Sequence, residues 1–152
     1  MPEVQEMRGE KIYEVDVLIT GVTDYGVTMD AILSGKEKLP LQGAQFDVAF
    51  EGGAKGRLAG KIRGIDYVIM RADGRADLDV KATLETEDGQ RIAVHIDGVG
   101  TPRANEPIVD LVENVRLMTA APKYDWVNAR QIWGLGTANL ATGKIHVEAF
   151  MQ

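Results

Sequence analysis

The sequence predicts an all-β fold, an antiparallel up-and-down β-barrel of about eight to ten short strands. Three observations predict it. Apolar and polar residues alternate with period two in run after run, as in Tyr13-x-Val15-x-Val17-x-Ile19. Turn residues punctuate those runs, most clearly at Asp73-Gly74 and Asp88-Gly89. No long stretch sustains helical periodicity. Successive strands joined by hairpins suit a barrel or a sandwich, and the closed barrel is preferred because it leaves no unpaired edge. Such a barrel is lipocalin-like in shape and wide enough to hold one small ligand.

Residues 1–11 are polar and expected to fray. The first strand runs on from Ile12 and ends in the turn residues Thr23-Asp24-Tyr25-Gly26. Residues 28–39 fit a short helix capped by Thr28 and stopped by Gly35, or a strand and loop; Pro40 closes them. Gln45–Glu51 alternates as a strand, and the glycines from Gly52 to Gly56 then read as a turn. A phosphate-cradling glycine loop would need a helix after it, but a β pattern over Arg57–Arg63 follows. Further strands are expected over Asp66–Ala72, Ala76–Glu87, Gln90–Asp97 and Glu113–Ala120. Residues 98–111 have loop composition, with Asn105 placed to cap one helical turn over Glu106–Val112. Pro122 stops the chain before Tyr124, Trp126 and Asn128, whose alternation lets all three share a side. Ala129–Gly136 and Lys144–Phe150 are the last expected strands.

At 152 residues, 1–152 is expected to be a single domain with one core. Hydrophobic residues at 45% and charged residues at 26% are ordinary globular usage, which argues against disorder. A net charge of −6, with the basic residues scattered, argues against a nucleic-acid surface. Without cysteine there is neither a disulfide scaffold nor a thiolate metal site. The N-terminus lacks the apolar core of a signal peptide, and no run nears the roughly 20 apolar residues of a membrane helix. A cytoplasmic protein with no membrane or nucleic-acid partner is therefore expected. No nucleotide or metal motif is visible, so no cofactor is expected, and His95 and His146 are too unrelated in position to suggest a metal. Gly-x-Ser-x-Gly is absent, which leaves no serine-nucleophile arrangement to defend.

The segment from Arg57 to Gly98 carries Asp66, Arg71, Asp77, Asp79, Lys81 and His95 among apolar neighbours. Asp79 and Lys81 share one strand parity; Leu78, Val80, Ala82 and Leu84 share the other. In one arrangement the aliphatic row fills the barrel and the charges meet water. In the other, Asp79 and Lys81 enter a polar pocket. Parity alone leaves both open.

Six segments together make the chain resemble a family of bacterial and fungal proteins known as domain of unknown function 3237. They are Leu58-x-Gly60, Gly64-Ile65-Asp66-Tyr67, Arg71-x-Asp73-Gly74, Leu78-Asp79-Val80-Lys81, Leu84-x-Thr86-x-Asp88-Gly89 and Ala121-Pro122-x-Tyr124-x-Trp126-x-Asn128. The resemblance spans about Phe46 to the C-terminus. The family pattern carries tryptophan where Tyr67 stands, arginine where Lys81 stands, and Gly-Pro where this chain has Lys55-Gly56-Arg57 before Leu58. The resemblance implies a barrel with a central pocket and a homo-oligomer, a dimer or higher. It implies no particular reaction. Because Asp79 and Lys81 fall on matched positions, it favours their facing inward more than composition does.

Two functions of different class follow. In the first, the protein is a cofactor-independent lyase, isomerase or hydratase acting on a small hydrophobic or carbonyl-bearing compound. Asp66 and Lys81 are then its acid/base groups, and Tyr67, Arg71, Asp79, His95, Tyr124, Trp126 and Asn128 contact the ligand. In the second, it is a lipocalin-like carrier or sensor. A closed barrel filled by its own side chains would leave neither.

Overall fold

The computed structural model describes residues 9–152. The expected fraying of residues 1–11 falls mostly on residues 1–8, outside the described residues; Lys11 lies within the first strand. Eight strands close into an antiparallel barrel in sequence order: β1 (Glu10–Asp24), β2 (Ala44–Gly56), β3 (Gly60–Met70), β4 (Ala76–Thr86), β5 (Arg91–Pro102), β6 (Ile108–Met118), β7 (Ile132–Asn139) and β8 (Lys144–Met151). Closure comes from β1, which pairs with β2 along one edge and β8 along the other. Among the described residues no helix is long and apolar enough to cross a membrane.

The strand count sits at the low end of the expected range because two glycine-bearing segments are strand interiors. Gly64 lies inside β3, merging the two strands expected over 57–72 into one. A Cβ there would stand 2.4 Å from the carbonyl oxygen of Lys81 on β4. At Gly52 it would stand 2.2 Å from the carbonyl oxygen of Asp16, and β2 runs on through Gly53 to Gly56. These glycines permit close backbone approach in a curved wall and make no turn.

Residues 98–111 also differ from expectation. Strand β5 continues to Pro102 and β6 begins at Ile108, with no helical turn between them. Asn105 adopts a positive φ of 61° in the connection, a conformation its short amide side chain tolerates, and caps nothing. The helical alternative over 28–39 holds in shortened form as α1 (Met29–Leu33), where the Ala31 N–H donates to Thr28 Oγ1 at 3.1 Å. Both Asp-Gly pairs turn hairpins, with Gly74 and Gly89 at φ of 94° and 83°.

The two mouths of the barrel are closed unequally. At the mouth where β1 begins, a 3-10 helix (Pro122–Val127) and the β2–β3 link plug the interior. Leu58, Ile12, Ile92 and Ile132 there are fully buried, and Val127 is nearly so. The opposite mouth lies under α1, which has no buried residue; Val27, Met29, Ile32 and Leu39 only partly cover the core. The α1 mouth is the looser of the two.

Candidate active site inside the barrel

Strand alternation decides what faces the interior. On β4 the buried row is Ala76, Leu78, Val80, Leu84 and Thr86, and Asp79 and Lys81 are exposed on the outer wall. The arrangement that put Asp79 and Lys81 in a pocket is therefore corrected. Turning Leu78, Val80 and Leu84 out to water would forfeit about 2 kcal/mol for each side chain and bury unpaired charges in exchange.

On β3 the same alternation works the other way. Ile62, Val68 and Met70 are buried, and Asp66 shares their parity, half-buried and facing the interior. The ladder between β3 and β4 lacks the Tyr67–Asp79 and Val68–Leu78 pairs. Asp66 Oδ1 occupies that break, accepting from the Asp79 backbone N–H at 3.0 Å. Burial pushes the Asp66 carboxyl up to about 6, the nearby Asp79 charge adds to the rise, and the hydrogen bond opposes it.

A second interior carboxyl comes from β6. Glu113 shares its parity with Leu111, Val115 and Leu117 and is only 6% exposed. Its neighbours across the ladder are Gly98 on β5 and Gly134 on β7. A Cβ at Gly134 would stand 2.9 Å from Glu113 Oε1, so this glycine makes the niche that the carboxyl occupies. That Oε1 is buried without a hydrogen-bond partner. Burial, and then the charge of Asp66, pushes Glu113 up to about 7. Tyr13 lies in the same cross-strand row, beyond Gly134 and Ala149. It too is buried, and its phenol is pushed well above its ordinary range, chiefly by desolvation and further by Glu113.

The interior thus gathers three acids, Asp66, Glu113 and Tyr13, on β3, β6 and β1. Two carboxyls held at different points near neutrality can divide the roles of proton acceptor and donor. Neither Glu113 nor Tyr13 had been singled out from the sequence. The signal was there in Val109-x-Leu111-x-Glu113-x-Val115-x-Leu117, a carboxylate on an apolar parity. The strand expected from Glu113 to Ala120 holds Glu113 in phase with Val115 and Leu117, but reading residues 98–111 as a loop leaves Val109 and Leu111 out of the pattern.

The other expected ligand contacts lie elsewhere. Tyr67 is on the outward parity of β3, and Arg71 sits beyond the end of that strand, its Nε donating to Asp77 at 2.6 Å. His95 is exposed on β5 with its Nε2 3.5 Å from Asp79, and His146 pairs separately with Asp16 on the β8 side of the wall. Tyr124, Trp126 and Asn128 do not share a strand face, because the 3-10 helix replaces the expected alternation. They fasten the plug of the closed mouth. Tyr124 Oη donates to Asp88 at 2.8 Å, Arg57 stacks 3.7 Å from the Trp126 ring centre, and the Asn128 amide exchanges hydrogen bonds of 3.0 and 2.8 Å with the Thr119 backbone.

Solved structures similar to this barrel share its fold. A β-barrel-like protein from Acinetobacter baumannii is 21% identical, with 99% of each chain covered and a TM-score of 0.77. A protein with unknown function from Clostridium acetobutylicum is 16% identical over 98% of this chain and 99% of its own, with a TM-score of 0.80. A protein called an enzyme, from Penicillium herquei, is 19% identical over 98% of this chain and 100% of its own, with a TM-score of 0.59. No curated protein matches the chain. The family model described as "Protein of unknown function (DUF3237)" matches residues 27–151, and the chain belongs to that family.

Proposed function

We propose that the protein binds a small hydrophobic, carbonyl-bearing compound inside the barrel and catalyses cofactor-independent proton transfer on it, as an isomerase, lyase or hydratase does. The observation that carries this is the pair of interior carboxyls, Asp66 at about 6 and Glu113 at about 7. Near neutral pH Asp66 is mostly ionised and accepts a proton from the carbon beside the carbonyl. Glu113, about half of it still protonated there, donates to the carbonyl oxygen, so that an enol forms without net charge. Returning the proton to the same or a conjugated carbon reverses or completes the isomerisation, and both carboxyls recover their starting states. Asp66 keeps the role expected of it, and Glu113 takes the one expected of Lys81. The fold is compatible with catalysis, since a structural neighbour is called an enzyme, but the chemistry rests on the carboxyls.

Deuterium incorporation at the methyl group of acetophenone, followed by NMR in heavy water near neutrality, tests the proposal without knowledge of the natural substrate. Wild type accelerates exchange over buffer, Asp66→Asn loses the acceleration and Lys81→Ala retains it. Exchange at the buffer rate with wild type, although acetophenone binds, would make the protein a carrier.

A further inference from the structure

We propose that the barrel interior selects uncharged ligands bearing an acceptor oxygen and turns away anions, with Glu113 as the hydrogen-bond donor to that oxygen. The inference rests on the interior site of the preceding proposal and names the ligand class that it takes. Its basis is the inventory of side chains on the inward parity of every strand. Beside Glu113 on β6, the groups that titrate are Asp66 on β3, Tyr13 on β1 and, past the β1 bulge, Asp24, which pairs with Phe46 at the α1 mouth and is exposed there. The inward rows of β2, β4, β5, β7 and β8 contribute aliphatic residues, Phe46, Phe50, Met151, Thr86 and glycines, none of which titrates. No lysine, arginine or histidine among the described residues is buried. A carboxylate or phosphate brought into this interior would meet no cation and two carboxyls.

The repulsion is large. A unit charge about 5 Å from one ionised carboxylate, at an effective dielectric of about 20, is disfavoured about 300-fold. A neutral carbonyl meets the opposite situation. Glu113 Oε1 is sealed in its niche without a partner, and a protonated carboxyl so placed presents its donor hydrogen on the other oxygen, Oε2, to a ligand oxygen. The niche is cut to this group: Gly134 leaves the space that Oε1 occupies, and Gly98 flanks it from the other strand. Since only the protonated acid donates, binding of an uncharged acceptor weakens as Glu113 ionises.

Three probes of one size separate the outcomes in saturation-transfer NMR: acetophenone, benzoate and benzylamine. Acetophenone binds the wild type, and its affinity falls about 30-fold between about pH 5.5 and 8.5, following the protonated fraction of a group at about 7. Glu113→Gln keeps a donor and flattens that profile. Benzoate fails to bind wild type at pH 8.5 and binds the Asp66→Asn, Glu113→Gln double variant. Benzylamine, a cation, binds more tightly as pH rises. Benzoate binding to wild type as tightly as acetophenone at pH 8.5, or an acetophenone affinity indifferent to pH, overturns the inference even if the double variant fails to fold. Deuterium exchange keeps the two proposals apart. Binding with the expected selectivity but no exchange removes the proton-transfer function alone, whereas exchange with benzoate bound equally well removes the selectivity alone. Binding by none of the three overturns both.

Discussion

Glu113→Gln stabilises the barrel above neutral pH relative to its effect in acid. In the folded chain the Glu113 carboxyl is 6% exposed and is pushed from 4.5 to about 7 by burial and by Asp66. The fold therefore holds this proton more tightly than the unfolded chain does. The resulting stability is fully present below pH 4.5 and is lost as pH rises through about 7. At about 1.36 kcal/mol per pH unit, the loss amounts to about 3 kcal/mol by pH 8.5. A glutamine has no proton to lose and escapes that loss. It carries its own cost, an amide in a niche where one oxygen already lacks a partner, worth about 1–3 kcal/mol at any pH. The difference between two pH values cancels that constant. Urea unfolding of wild type and variant at about pH 4 and 8.5, followed by tryptophan fluorescence, should show a relative gain for the variant of about 3 kcal/mol at the higher pH. In melting temperature this is about 6–12 °C for a chain of this size. Parallel stability curves for the two proteins across that range would refute the burial argument and, with it, the assignment of Glu113 as a neutral acid.

Three further outcomes follow from the same geometry. Asn128→Ala removes both amide hydrogen bonds to the Thr119 backbone and leaves that strand end unpartnered, at about 1–3 kcal/mol in chemical denaturation. A cost near zero would mean that Asn128 is held for a ligand and not for the plug. Lys81→Ala, on the outer wall, changes stability by no more than about 0.5 kcal/mol; a loss several times larger would return Lys81 to the interior. Gly134→Ala drives a Cβ to within 2.9 Å of Glu113 Oε1 and 3.1 Å of its Cβ, costing about 1–3 kcal/mol in thermal melts. It also shifts the NMR titration of the Glu113 carboxyl, which an untouched niche would leave in place.

The barrel itself was legible from local chemistry. Alternation such as that from Tyr13 to Ile19, and glycines able to adopt positive φ at positions 74 and 89, reflect short-range rules that act before any tertiary contact forms. Thr28 capped its helix for the same reason. The errors fell where a distant strand set the local structure. Gly52 and Gly64 look like breaks until another backbone is seen about 2 Å from where their Cβ atoms would be. The stretch from Gly98 to Leu111 has loop composition, yet β4 and β7 supply the outer partners of a paired β5–β6 ladder. Tyr124, Trp126 and Asn128 alternate in the text of the sequence but lie on a 3-10 helix after Pro122.

The candidate site divides along the same line. Asp66 was accessible to inference because its own strand neighbours, Gly64 and Val68, mark a core-facing parity. Glu113 could have been found in the same way, since Leu111 and Val115 flank it at the same period. Local alternation states which residues share a face; it does not state which face is inside. On β4 both rows were possible, and only closure of the wall gave the inside to Leu78, Val80 and Leu84 and the outside to Asp79 and Lys81. Nor can alternation say that carboxyls on β3 and β6, 47 positions apart in the chain, feel each other's charge. That coupling exists because the sheet closes on itself, and it adds to the burial that chiefly lifts Glu113 toward neutral pH.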